Sequence, residues 1–187
     1  MNENTTNYLI IHGSFGSPFS NWFSWLSDFL TSEGKSVYVP QFPIGVGYQN
    51  YENWSNLLAY YDNLGLVNEN TVIIAHSIAP VFISKYLIEK KRNIKKLISV
   101  CGFNQYLGID EAYDTVNQSM YTNRLAEVKE YAKEIICFYS DNDPYVPQAV
   151  EKEFADIIST EQVVLPKAGH INAESGYDTF EEIVHYL

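Results

Sequence analysis

An α/β protein is predicted, with a six-stranded parallel sheet covered by helices on both faces in a three-layer α/β/α sandwich. Three observations predict it. Short apolar runs rich in β-branched residues alternate along the whole chain with stretches at helical spacing. At 187 residues, the chain has the length of one domain spanning 1–187 that can bury a real core. The composition, 46% hydrophobic and 15% aromatic, is that of a globular chain and not a disordered one.

The first strand is Tyr8 to Ile11, which runs into the loop His12-Gly13-Ser14-Phe15-Gly16-Ser17-Pro18. From Asn21 to Ser32, Trp22, Trp25, Leu26, Phe29 and Leu30 recur at helical spacing, and Gly34 follows as the expected residue past the helix end. These aromatics read as core. Val37 to Val39 is the second strand, followed by an extended loop carrying Pro40, Pro43, Gly45 and Gly47. Tyr51 to Leu64 places Trp54, Leu57, Leu58 and Tyr61 on one helical face. Thr71 to Ala75 is the third strand and Ile78 to about Lys91 the third helix. Lys96 to Cys101 and Ile135 to Tyr139 are the fourth and fifth strands, and the irregular insertion 102–123 between them leaves the carboxyl end of a strand to form a cleft wall. Pro147 opens a helix to about Ile158, Gln162 to Leu165 is the sixth strand, and Tyr177 to Leu187 reads as a closing helix. No internal repeat, low-complexity tract or linker interrupts this order.

Charge narrows the function classes. A net charge of -11 argues against nucleic acid, which is bound by Lys and Arg neutralising phosphates, and against an anionic membrane surface. Neutral or cationic partners suit it better. Two cysteines, Cys101 and Cys137, each at or in an apolar strand, read as buried thiols and make neither a disulfide framework nor a zinc site. The polar start M-N-E-N-T-T-N lacks a secretory pattern, and no uncharged apolar stretch reaches membrane-spanning length. A soluble cytoplasmic protein is expected.

Three loops carry chemistry. Ser77 stands at the joint of the third strand and the third helix in Ala75-His76-Ser77-Ile78-Ala79, a variant of the G-x-S-x-G elbow that lifts a serine hydroxyl above the sheet edge beside a helix N-terminus. Small flanking residues are needed because the strained turn brings strand and helix close. A serine capping the helix is the other reading of the pentapeptide. After the fifth strand comes S-D-N-D-P-Y-V-P at 140–147, and after the sixth K-A-G-H-I-N at 167–172. Serine, acid and histidine in that chain order are the parts of a nucleophile, orienting carboxylate and proton carrier. Asp143 is the favoured acid, Asp141 its competitor, and His170 the base. Asp143 could also serve only to cap the turn before the helix. His12 and His76 read as shaping residues and His185 as solvated. The glycine-bearing loop at 12–18 is either a simple turn or a carrier of backbone N–H groups for an oxyanion. Gly34-Lys35-Ser36 is no phosphate loop, because Phe29 stands where its first glycine belongs.

Taken with H-G at 12–13, A-H-S at 75–77, W-x-x-x-L from Trp54 and G-H-I-N-A-E-S-G-Y at 169–177, the chain resembles the compact serine hydrolases related to retinoblastoma-binding protein nine and the bacterial YdeN-type proteins. The resemblance covers nearly the whole chain. It implies a compact α/β-hydrolase fold without a separate lid domain, a triad of Ser77, Asp143 and His170, and an oxyanion hole from the backbone N–H groups of Ser14 and Ile78, with Phe15 in place of Ser14 as an alternative. Ala79 stands where glycine is usual. A carboxylesterase-like serine hydrolase working through an acyl-enzyme is therefore expected, with a small-molecule acyl substrate, small or extended, no metal or organic cofactor, and a shallow cleft bordered by 102–123 and 43–51. Peptidase or acyltransferase chemistry would use the same triad. The competing class is a protein-binding module on a hydrolase scaffold, and a protein partner or homodimer is left open.

Overall fold

The computed structural model describes residues 6–187. Residues 1–5, most of the polar start read as lacking a secretory signal, lie outside them. Six strands form one all-parallel sheet in the order β2-β1-β3-β4-β5-β6: β1 Asn7–Ile11, β2 Ser36–Tyr38, β3 Thr71–His76, β4 Ile94–Val100, β5 Ala132–Ser140 and β6 Glu161–Leu165. β3 is buried along all six residues, as a central parallel strand covered on both faces must be. Alternate side chains enter two separate cores. Leu9, Ile11, Ile73, Leu97 and Ile135 face one side, under the helices α2 (Tyr51–Asn63), α3 (Ala79–Lys90) and α5 (Gln148–Ile158). Tyr8, Ile10, Val72, Ile74 and Ile98 face the other, under α1 (Phe23–Ser32) and the C-terminal segment.

The predicted end of α1 is observed in detail. Gly34 takes φ 73°, its N–H bonds Thr31 O at 2.9 Å, and Lys35 N bonds Leu30 O at 3.0 Å. The left-handed residue thus satisfies two carbonyls left over at the helix end. Two expectations are corrected. Pro147 precedes α5 as its cap, with φ −54° and ψ 133°, and the helix begins one residue later. The closing helix expected over Tyr177 to Leu187 is a short 3₁₀ helix confined to Glu181–Tyr186. Its anchors, Tyr177, Phe180 and Ile183, repeat every three residues, which suits the three-residue turn of a 3₁₀ helix. The insertion after β4 holds α4 (Glu111–Asn117) and two 3₁₀ turns, Gln118–Met120 and Leu125–Glu130. α4 is capped by Asp110, whose side chain accepts from Ala112 N and Tyr113 N. Among the described residues, no helix is long and apolar enough to cross a membrane.

β1 is followed by β2 on one side and flanked by β3 on the other, so the direction of winding reverses between β1 and β3. Chains leaving the carboxyl ends of these two strands diverge and open a crevice. The site lies there.

Candidate active site

A cleft of about 460 Å³ is lined by the loops that follow β1, β3, β4, β5 and β6. Gly13 to Gly16, Ser77, Phe103, Tyr145 and His170 all contribute to it. Ser77 takes φ 63°, a left-handed conformation costly for a residue with a Cβ, and its N–H bonds Val100 O at 2.8 Å, the next carbonyl across the sheet. The cap of α3 is Ile78, which offers no side-chain bond to the helix, so Ser77 is a strained corner and not a helix cap. Pro80 in the first turn presets the helical φ, and Ala79 is fully buried beneath the turn.

Close approach makes Gly13 necessary. A Cβ there would stand 2.7 Å from Ser77 Cβ and 3.3 Å from both Ser77 Oγ and His76 O. Gly13→Ala is expected to destabilise the fold by about 1–3 kcal/mol through overpacking, seen as a Tm lower by several degrees in a thermal melt.

His170 Nδ1 donates to Asp143 Oδ2 at 2.6 Å, and the Asp143 side chain is fully buried. The other oxygen, Oδ1, accepts from Tyr145 N at 2.8 Å and Val146 N at 3.0 Å. Burial pushes this carboxyl up, but the hydrogen bond and charge of His170 and those two N–H groups outweigh it and hold Asp143 below the usual range. Asp143 therefore both holds the turn before α5 and meets the histidine. Asp141 is exposed and accepts from Lys167 N at 2.7 Å, away from the imidazole.

The histidine loop is fastened from three sides. Ala168 N bonds Ser140 Oγ at 3.1 Å and Gly169 N bonds Asn142 Oδ1 at 2.8 Å, so the loops after β5 and β6 are laced together. Trp22 Nε1 donates to Ile171 O at 2.9 Å, and His76 Nε2 donates to His170 O at 2.9 Å. Burial, then the neighbouring His170, lowers His76 to about 3, so it is a neutral strut. His12 is buried and neutral too: Nδ1 donates to Gly13 O at 2.8 Å while Nε2 accepts from Phe42 N at 3.0 Å. Both rings are spent on backbone groups of the loops around the cleft. His185 is exposed.

Two polar residues that no motif announced hold the loop after β1. Gln49 Oε1 accepts from Phe15 N at 3.0 Å, and Gln49 Nε2 donates to Asn117 Oδ1 at 3.2 Å. Asn117 Oδ1 also accepts from Ser14 Oγ at 2.6 Å. Both are buried, and sequence alone gives no signal for them because the contact joins 14, 49 and 117 only in the fold. The insertion forms the expected wall through Phe103, Leu107 and Tyr113. The second expected border, 43–51, does not line the cleft; Gln49 supports the site from behind.

A serine at a strained strand-to-helix corner, above the crevice of a parallel sheet whose last two loops bring an acid to a histidine, is the design of the α/β-hydrolases as a class. The family follows from the sequence. Residues 8–187 match the family described as serine hydrolase, and the chain belongs to it. Among solved structures it is similar to the ydeN gene product from B. subtilis, with 25% identity, a TM-score of 0.85, and coverage of 97% of this chain and 96% of that one. It also shares its fold with Est1E from Butyrivibrio proteoclasticus bound to ferulic acid (17% identity, TM-score 0.72, 99% and 87% covered). A structure from a study of carboxylesterases of Nitrososphaera gargenis is similar at 12% identity (TM-score 0.73, 97% and 88% covered). A search of curated proteins found no match.

Proposed function

We propose that this serine hydrolase cleaves an ester or related acyl compound through Ser77, His170 and Asp143. The observation that carries the reading is the 2.6 Å bond from His170 Nδ1 to a buried Asp143 in the cleft that Ser77 also lines. That bond fixes the tautomer with Nε2 unprotonated, able to take the hydroxyl proton as Ser77 Oγ attacks the carbonyl. Asp143 stabilises the imidazolium that results. The backbone N–H groups of Ile78, at the start of α3, and Ser14 hold the negative oxygen; Phe15 N is committed to Gln49. His170 then protonates the departing alcohol, and water resolves the acyl-enzyme by the same steps in reverse. A structure from a study of carboxylesterases among the structural neighbours supports an ester as substrate.

A fluorophosphonate probe tests this: labelling of the folded wild type that Ser77→Ala loses supports it, and a wild type that stays unlabelled favours the binding-module reading.

The substrate is uncharged near the scissile bond. Asp110, Asp114 and Glu174 line the cleft, and among the described residues no lysine or arginine does. Against a net charge of -11, an anionic acyl chain meets repulsion on approach and inside. A 4-nitrophenyl butyrate is expected to exceed the matching hemisuccinate in kcat/KM by on the order of tenfold at low salt, with the ratio shrinking as salt is added. Equal rates at low salt would refute the charge argument.

A further inference from the structure

α5 begins directly behind Asp143, and its first turn carries Glu151, which is 1% exposed. Acidic residues in a first helical turn favour the helix dipole and ordinarily reach water. Neither oxygen of Glu151 makes a well-formed hydrogen bond among the described residues, although the Asp143 carboxyl, the Cys101 thiol and the Ser140 backbone stand close enough to act on it. Its carboxyl faces Cys101, just past β4, Asp143 from the loop after β5, and His170 from the loop after β6; a donor atom of each of the four lies within 4.8 Å of the others. Tyr139 on β5 is the further titratable neighbour that senses its charge.

Two carboxylates in so small a buried space do not both ionise at neutral pH, and one of them keeps a proton. The structure says which one keeps it. Asp143 accepts three hydrogen bonds that favour its charged form, whereas Glu151 accepts none of comparable strength. Burial first, and the charge of Asp143 second, push Glu151 up to about 9. The hydrogen bond from His170 Nδ1 already occupies the point a shared cation would need, so the pocket is suited to a proton and not to a metal.

We propose that Glu151 is a positioning residue for the Asp143–His170 pair: a neutral acid packed behind Asp143, it leaves that aspartate as the one negative charge facing the imidazole. When Glu151 ionises, His170 faces two. The imidazolium is then overstabilised, Asp143 is repelled from its place, and the proton relay fails from the alkaline side. The inference rests on His170 as the base, but its test does not depend on turnover.

The ring resonances of His170 are followed by NMR in the full chain, assigned against His170→Gln. The wild type is expected to show a step near pH 9. Glu151→Gln removes that step, and Cys101→Ser, which removes the neighbouring thiol, keeps it. A wild type without the step overturns the proposal, as does a step that survives in Glu151→Gln or disappears in Cys101→Ser. The first and last of these results decide the matter even if Glu151→Gln does not fold. Thermal melts add a second reading. The folded protein holds a proton that the unfolded chain releases above its ordinary 4.5, so stability falls as pH rises from there to about 9. Glu151→Gln lacks that slope, and its Tm is expected to gain on the wild type as pH rises. In kcat/KM for a neutral nitrophenyl ester, Glu151→Gln loses the alkaline fall of the wild type. An NMR step in a protein that turns over no ester would leave this proposal standing and remove the esterase reading.

Discussion

Ser77→Ala is expected to remove essentially all ester turnover, by on the order of 10⁴-fold or more, with an unchanged far-UV spectrum. On the proposed mechanism the loss is large because Ser77 Oγ has no substitute: another hydroxyl of the cleft, Ser14 Oγ, donates to Asn117 Oδ1 at 2.6 Å and sits on a different loop. Folding survives because alanine removes only an oxygen at a half-buried corner. The variant also relieves nothing in the backbone, since φ stays at 63° for any residue with a Cβ. Rates on a 4-nitrophenyl ester, measured with labelling by the phosphonate probe, check it. Retention of more than about a tenth of the wild-type rate would place the reaction elsewhere.

Asp143→Asn is the second large effect, expected to lower kcat by about 10³–10⁴-fold with little change in KM. An asparagine there can present its amide nitrogen to His170 Nδ1, which then accepts and leaves its proton on Nε2. That is the wrong nitrogen for taking a proton from serine. The carboxylate that stabilises the imidazolium is lost at the same time. The control is Asp141→Asn. Its carboxylate holds Lys167 N at 2.7 Å on an exposed loop, so only a small change in rate is expected, and a comparable collapse in both variants would count against Asp143 as the orienting acid.

Strands and loops were legible in this sequence to different degrees, for physical reasons. β3 and its neighbours announce themselves because parallel strands buried on both faces must be apolar along their length, as T-V-I-I-A is at 71–75. Ser77 was legible as a place but not as a conformation, since serine caps helices as readily as it sits in elbows; the positive φ distinguishes the two. Sequence favours Asp143 over Asp141, two residues away in the same turn, through D-P-x-V-P, but the bond to His170 that separates the two exists only once that turn has folded. The C-terminal segment misled because Phe180, Ile183 and Val184 satisfy helical spacing as well as the three-residue spacing actually used. Gln49, Asn117 and Glu151 were invisible because each is a single polar residue whose role exists only across the fold.

The indole of Trp22 and the imidazole of His76 grip the carbonyls of Ile171 and His170, not their side chains. Every amino acid supplies that oxygen. The grip on His170 is therefore indifferent to the side chain at 171, which answers instead to the core in which Ile171 is fully buried, while the two rings that hold the loop, 149 and 94 positions away in the chain, cannot be exchanged without letting it go.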